Sequence, residues 1–141
     1  MTLKEKYNLL PDSSGFNSGL INWYNKLIDK TYEGLSIEDI AKMLRQDILK
    51  EVATEKAIDL FFDDPYDGEF EDGELLNLLV SLDFNGIDKP IIQKFKHQLE
   101  NLKSTYIDFE WEEEELREKY EKNIDKALRK FSQIPEISIL E

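Results

Sequence analysis

The sequence predicts an all-α fold, a single domain over residues 1–141 arranged as a bundle of about six helices. Three observations predict it. Apolar residues return at three- and four-residue spacing along most of the chain. No stretch sustains the period-two alternation of a strand, and no internal repeat is visible. The chain has 141 residues, 40% of them hydrophobic and 11% aromatic, which is enough for one core even with 35% charged residues.

The elements follow in order. Residues 8–19 carry Pro11, Gly15, Gly19 and several Asn and Ser, the chemistry of a loop. Leu20, Trp23, Tyr24, Leu27 and Ile28 then space out a helix to about Thr31, stopped by Gly34. Ser36 followed by Asp39 reads as a capping box for a helix whose inner face is Ile37, Ile40, Ala41, Leu44 and Ile48. Thr54 restarts or continues a helix through Ala57, Ile58, Phe61 and Phe62, which closes before Pro65. Asp72 reads as the N-cap of a helix from Gly73 to Leu82, whose Leu75, Leu76, Leu78, Leu79, Val80 and Leu82 are apolar nearly all round. Residues 83–86 form a turn, and Pro90 suits a first helical position. The next helix directs Ile91, Ile92, Phe95, Leu99 and Leu102 inward and Lys94, Lys96 and Lys103 outward. From about Glu112 a long stripe of Leu116, Tyr120, Ile124, Ala127 or Leu128, and Phe131 follows, ended by Pro135. The tail 136–141 alternates weakly and reads as extended or frayed.

The net charge of −13 repels nucleic acid and anionic lipid and attracts basic proteins, so neither nucleic acid nor membrane is an expected partner. No window approaches the ~18 apolar residues of a membrane span. The first residues do not resemble a signal peptide, and no cysteine is present. A soluble cytoplasmic protein is expected. The one histidine, His97, falls opposite the apolar face of its helix and reads as a surface residue. Gly-rich phosphate loops and the Ser-x-x-Lys and Gly-x-Ser-x-Gly patterns are absent. The carboxylates lie in polar runs rather than in an apolar pocket that would raise a pKa, so no enzyme and no cofactor is expected.

Residues 63–74 are the most unusual segment. Asp63, Asp64, Asp67, Glu69, Glu71, Asp72 and Glu74 make seven of twelve residues acidic, with no base among them. Three readings stand. Counting Asp63 as position 1 of an EF-hand loop places Asp67 at 5, Gly68 at 6, Glu69 at 7, Phe70 at 8, Glu71 at 9 and Glu74 at 12, but Pro65 at position 3 supplies no side-chain oxygen. Calcium binding is therefore the weaker alternative. The second reading is a solvated loop with a helix start at Asp72, and the third is a surface for a protein partner.

Several separated elements carry a family resemblance. They are Ser36-Ile37-Glu38-Asp39 with Arg45, Gln46 and Ile48; Ala57 through Pro65; and Gly68-Glu69 with Gly73-Glu74-Leu75-Leu76. With the aromatic helix around Trp23, residues 20–84 resemble immunity proteins of contact-dependent growth inhibition (CDI) systems. The resemblance implies a small, mostly helical cytoplasmic protein that binds and neutralises the C-terminal toxin domain of a specific effector, often a nuclease, by blocking its active site. A nuclease groove is basic because it grips phosphate, so an acidic inhibitor fits it. The alternative is a generic acidic interaction module without toxin specificity. Asp39, Arg45, Gln46, Pro65, Gly68, Gly73 and Glu74 read as fold-defining members of the motif, with Arg45 a possible ion-pair partner for the 63–74 turn as much as a toxin contact.

A second acidic run, Asp108-Phe109-Glu110-Trp111-Glu112-Glu113-Glu114-Glu115, reads either as a solvated helix start or as a binding surface. Phe109 and Trp111 interleave the acids, either as interface anchors or as staples to the core. Because immunity proteins discriminate among toxins, this run, supplemented by Asp67, Glu69 and Glu71 of the turn, is the candidate partner-binding surface.

Overall fold

Thr2 opens the chain with a reciprocal cap. Its hydroxyl accepts the Glu5 N–H at 3.2 Å and the Glu5 carboxylate accepts the Thr2 N–H at 3.1 Å, starting helix α1 (Leu3–Tyr7) in this computed structural model. The structure describes residues 1–12, 19–68, 70–84 and 87–132. Leu3 is fully buried, and the Leu3 and Lys4 N–H groups donate to the Lys30 and Ile28 carbonyls at 2.8 Å. Helix α2 (Gly19–Leu27) ends earlier than the expected Thr31: the Asp29 and Lys30 N–H groups turn to the Lys26 and Leu27 carbonyls three residues back, and the Ile28 and Lys30 carbonyls receive α1. Leu20 is exposed at the helix start, while Leu27 and Ile28 enter the core.

The Ser36–Asp39 capping box is present and opens α3 (Ile37–Arg45). The helix stops before Ile48 because Asp47 and Leu49 take left-handed backbone conformations, with φ of 53° and 48°. Helix α4 (Lys50–Asp63) therefore begins at Lys50, four residues ahead of Thr54, and ends at an Asp64 C-cap just before Pro65. Helix α5 (Glu74–Leu79) follows the acidic turn. Its N-cap is Gly73, not Asp72. Gly73 sits at φ 79°, a conformation that glycine takes without a Cβ clash, and this bend separates Asp72 from the first turn. Leu75, Leu76 and Leu79 are buried, whereas Leu78 and Val80 are only half-buried.

Helix α6 (Lys89–Thr105) carries Pro90 as its second residue, one past the expected first position, and runs into a 3-10 turn at Tyr106–Asp108. Lys96 departs from its expected outward place and is 8% exposed. It lies one turn from both Ile92 and Leu99, on the flank that packs inward. His97 is exposed, as its position predicts. Helix α7 (Glu114–Ser132) buries Tyr120, Ile124, Ala127 and Phe131. The expected tail at 133–141 and the turn residues 85–86 lie outside the described residues.

Among the described residues the architecture is seven α-helices and no extended strand; one isolated bridge joins Thr2 and Thr31. Helix α3 packs on α4, α4 on α5 and α6, and α7 on α5 and α6. Their meeting point is aromatic. Phe95 contacts Phe61 at 5.0 Å, Phe131 at 5.4 Å and Phe84 at 5.9 Å between ring centres, the first two edge-on. Lys130 of α7 reaches the Val80 carbonyl at 3.2 Å and the Leu82 carbonyl, placing a cation at the C-terminal end of α5. No described helix is long and apolar enough to cross a membrane.

Candidate functional site

The acidic turn is folded by its own backbone and shortest side chains. The Asp64 carboxylate accepts the Tyr66 N–H at 3.1 Å, and that of Asp67 accepts the Gly68 N–H at 2.8 Å. The Gly73 N–H donates to the Tyr66 carbonyl at 2.6 Å and the Leu75 N–H to the Asp67 carbonyl at 3.0 Å, stitching the two sides of the turn together. Gly68 is required by this closeness: a Cβ there would stand 1.9 Å from the Glu71 carbonyl oxygen. A Cβ on Gly73 would meet the Tyr120 ring at 2.7 Å.

The second acidic run returns to the same place. Phe109 stacks on Tyr66 at 4.0 Å with 13° between planes. Trp111 meets Tyr66 edge-on at 5.5 Å and Tyr120 at 5.0 Å, and Tyr120 lies 5.3 Å from Tyr66. Two hydrogen bonds fix the cluster: Trp111 Nε1 donates to the Tyr106 carbonyl at 2.8 Å, and the Tyr120 hydroxyl donates to the Pro65 carbonyl at 2.7 Å. Lys119 adds an ion pair to Glu71 at 3.3 Å. Phe109 and Trp111 thus turn inward on Tyr66 and Tyr120 and staple the run to the turn.

The electrostatics report the same proximity. Burial pushes the Tyr66 phenol above its ordinary 10.0; a hydrogen bond to Thr105 opposes that, and the nearby Asp108 and Asp64 charges add to it. Burial, with smaller effects from Tyr66 and Asp64, raises Tyr120 further. Two acidic runs some forty residues apart in sequence therefore border one aromatic cluster. Asp63, Asp64, Asp108, Glu110, Glu112, Glu113, Glu114 and Glu115 are exposed around it, and Asp67, Glu71 and Asp72 are half-buried. Glu69 lies outside the described residues. Glu114 pairs with Arg117 on the first turn of α7.

Several of the turn's oxygens serve the chain itself: Asp64, Asp67 and the Pro65, Tyr66 and Asp67 carbonyls all accept internal donors. Among the described residues no group of three or more His, Cys, Asp or Glu side chains is arranged to hold a metal.

The other motif residues sit at helix ends. Asp39 is buried within the α3 cap and receives the Lys30 ammonium at 2.8 and 3.0 Å. Burial alone would raise its pKa; Lys30 and the Ser36 N–H outweigh it and hold the carboxyl below the usual carboxylate value. Arg45 is exposed at the end of α3, and Gln46 is the C-cap, its N–H donating to the Lys42 carbonyl at 2.9 Å. Glu74 is the first residue of α5. Lys119 as a cation on the turn, and Tyr66 and Tyr120 as its clamp, are absent from the sequence expectations. No local spacing signals them, because the contacts span 48 residues for Lys119–Glu71 and 55 for Tyr120–Pro65.

A family model for CDI immunity proteins matches residues 5–102. The chain belongs to the CDI immunity proteins. Curated protein sequences yield no match to it. In this immunity protein the matched region contains α2 to α5, the acidic turn and most of α6, whereas the 3-10 turn and α7 lie beyond it. The aromatic clamp is thus composite. Tyr66 and the turn come from the matched region, and Phe109, Trp111 and Tyr120 come from the segment after it.

Proposed function

We propose that this immunity protein neutralises a cognate toxin domain by laying the acidic face around the Tyr66 cluster over the toxin's active site. The toxin is a basic nuclease domain in this reading, and its active-site groove is what the acidic face fills. Family membership supplies the toxin partner in general terms. The observation that carries the finer reading is the joining of the two acidic runs on one rim by the Tyr66–Phe109 stack. It gathers Asp108, Glu110 and Glu112–Glu115 beside Asp67 and Glu71, a polyanionic surface able to occupy a groove built for phosphate. The protein acts by binding alone in the cytoplasm, without catalysis, a cofactor, nucleic acid or a membrane.

Co-expression tests it. Cells producing the toxic C-terminal domain of the effector encoded beside this chain are expected to survive when this chain is also produced. Continued toxicity despite soluble immunity protein would overturn the assignment to that toxin. Survival with a toxin lacking nuclease activity in vitro would keep the immunity role and remove the nuclease.

A further inference from the structure

We infer that Phe70 is the anchor of the toxin interface, inserting into an apolar pocket rimmed by Lys and Arg side chains; this rests on the immunity reading above. Tyr66, Phe109, Trp111 and Tyr120 pack on one another, but Phe70, a few residues along the same turn, is 81% exposed. It is the most exposed aromatic side chain among the described residues. A ring left in water gains on burial, and aromatic side chains at the centre of an interface carry a large share of its binding energy.

Described residues on both sides of Phe70 are held by the fold. On one side the Asp67 carbonyl holds the Leu75 N–H and Gly68 packs against the Glu71 carbonyl; on the other, Glu71 is tied to Lys119 and Gly73 to the Tyr66 carbonyl. Fixed flanking residues reduce the conformational freedom lost on docking, which favours an anchor between them. The flanking residues define the pocket's rim. Asp67, Glu71 and Asp72 surround Phe70 in the chain, and no base occurs between residues 63 and 74. A wholly apolar receptor would strip water from these carboxylates without replacing it, so the complementary receptor is an apolar pocket within a basic surface. Phe70 supplies the short-range contact, while the acids supply attraction at longer range.

The test uses the full chain and the toxic C-terminal domain of the neighbouring effector, with affinity and dissociation rate measured for wild type, Phe70→Ala and Phe70→Leu. Phe70→Ala is expected to leave the melting temperature within about 2 °C of wild type, because an exposed ring contributes little to folding. It is expected to raise the dissociation rate at least about tenfold, with Phe70→Leu between the two. Wild-type affinity in Phe70→Ala, with rescue intact, would overturn the anchor and leave the immunity reading standing. A large fall in melting temperature would also overturn it by showing a folding role. Absence of binding by the wild-type chain would remove the immunity reading itself, and the anchor with it.

Discussion

Asp39 shows how one motif side chain organises a helix end. It accepts the Ser36 N–H, so that Ser36 and Asp39 cap each other, and it receives the Lys30 ammonium from the segment after α2. Its side chain is only 7% exposed while that of Lys30 is 42% exposed, so the pair is partly screened. Asp39→Asn keeps the shape but removes the charge, and a loss of about 1–2 kcal/mol at neutral pH is expected. The pH dependence has a definite sign. The folded-state pKa lies below the ordinary 3.8, so the stabilisation is fully present above that value and is lost as pH falls through the lower folded pKa. Urea unfolding at pH 7 is expected to separate wild type from the variant, and the gap is expected to close as the pH drops below 3.8. A gap that persists undiminished in acid would show that packing, rather than the ionised carboxylate, is what the substitution disturbs.

At the scale of elements, α7 and the acidic turn form a unit through Tyr66, Phe109, Trp111 and Tyr120. Both phenols have pKa values raised above 10.0, so the fold favours their neutral forms. Their contribution is complete below pH 10 and is lost as the pH rises toward the higher folded values. In a Trp23→Phe background, where Trp111 is the remaining indole, alkaline titration is expected to change Trp111 fluorescence as the clamp opens. Replacing both Tyr66 and Tyr120 with Phe is expected to move that change to higher pH, while losing about 1–2 kcal/mol at neutral pH for the hydroxyl bonds to Thr105 and Pro65. An unmoved alkaline transition would place its origin elsewhere. The parts of this unit differ in how far the sequence reveals them. The α7 stripe of Tyr120, Ile124, Ala127 and Phe131 and the Ser36–Asp39 cap are legible because period and capping act within a few residues. Helix α1 also carries such a signal, Thr2 followed by Glu5, but it is only five residues long and depends on bonds to Ile28 and Lys30. Local propensity does not signal the left-handed Leu49, whereas Gly73, without a Cβ, takes the α5 cap from Asp72 by adopting a φ of 79°. The clamp is a meeting of segments far apart in sequence. Its acids were visible as two runs, but their adjacency was not.

For the whole molecule, the charge of −13 makes a long-range field, and the fold decides where that field is strongest. If the face beside Tyr66 guides a basic toxin, position as well as net charge governs the encounter. Association with the toxin domain is expected to slow by at least about tenfold between roughly 20 mM and 500 mM salt, with dissociation changing far less. Two sets of substitutions separate position from total charge. Glu112, Glu113 and Glu115 are exposed beside the clamp; Glu33, Glu38 and Glu55 are exposed on the side of the molecule built by α3 and α4. Reversing either set to Lys adds two charges at each of three positions and takes the net charge from −13 to −7. A field that depends only on total charge would slow association equally in both. The joined acidic face requires the Glu112, Glu113, Glu115 set to slow it more, and to flatten the salt dependence more, when both are measured by stopped flow at low ionic strength. Equal slowing would remove this face as the point of encounter, and a rate indifferent to salt would remove electrostatic steering altogether.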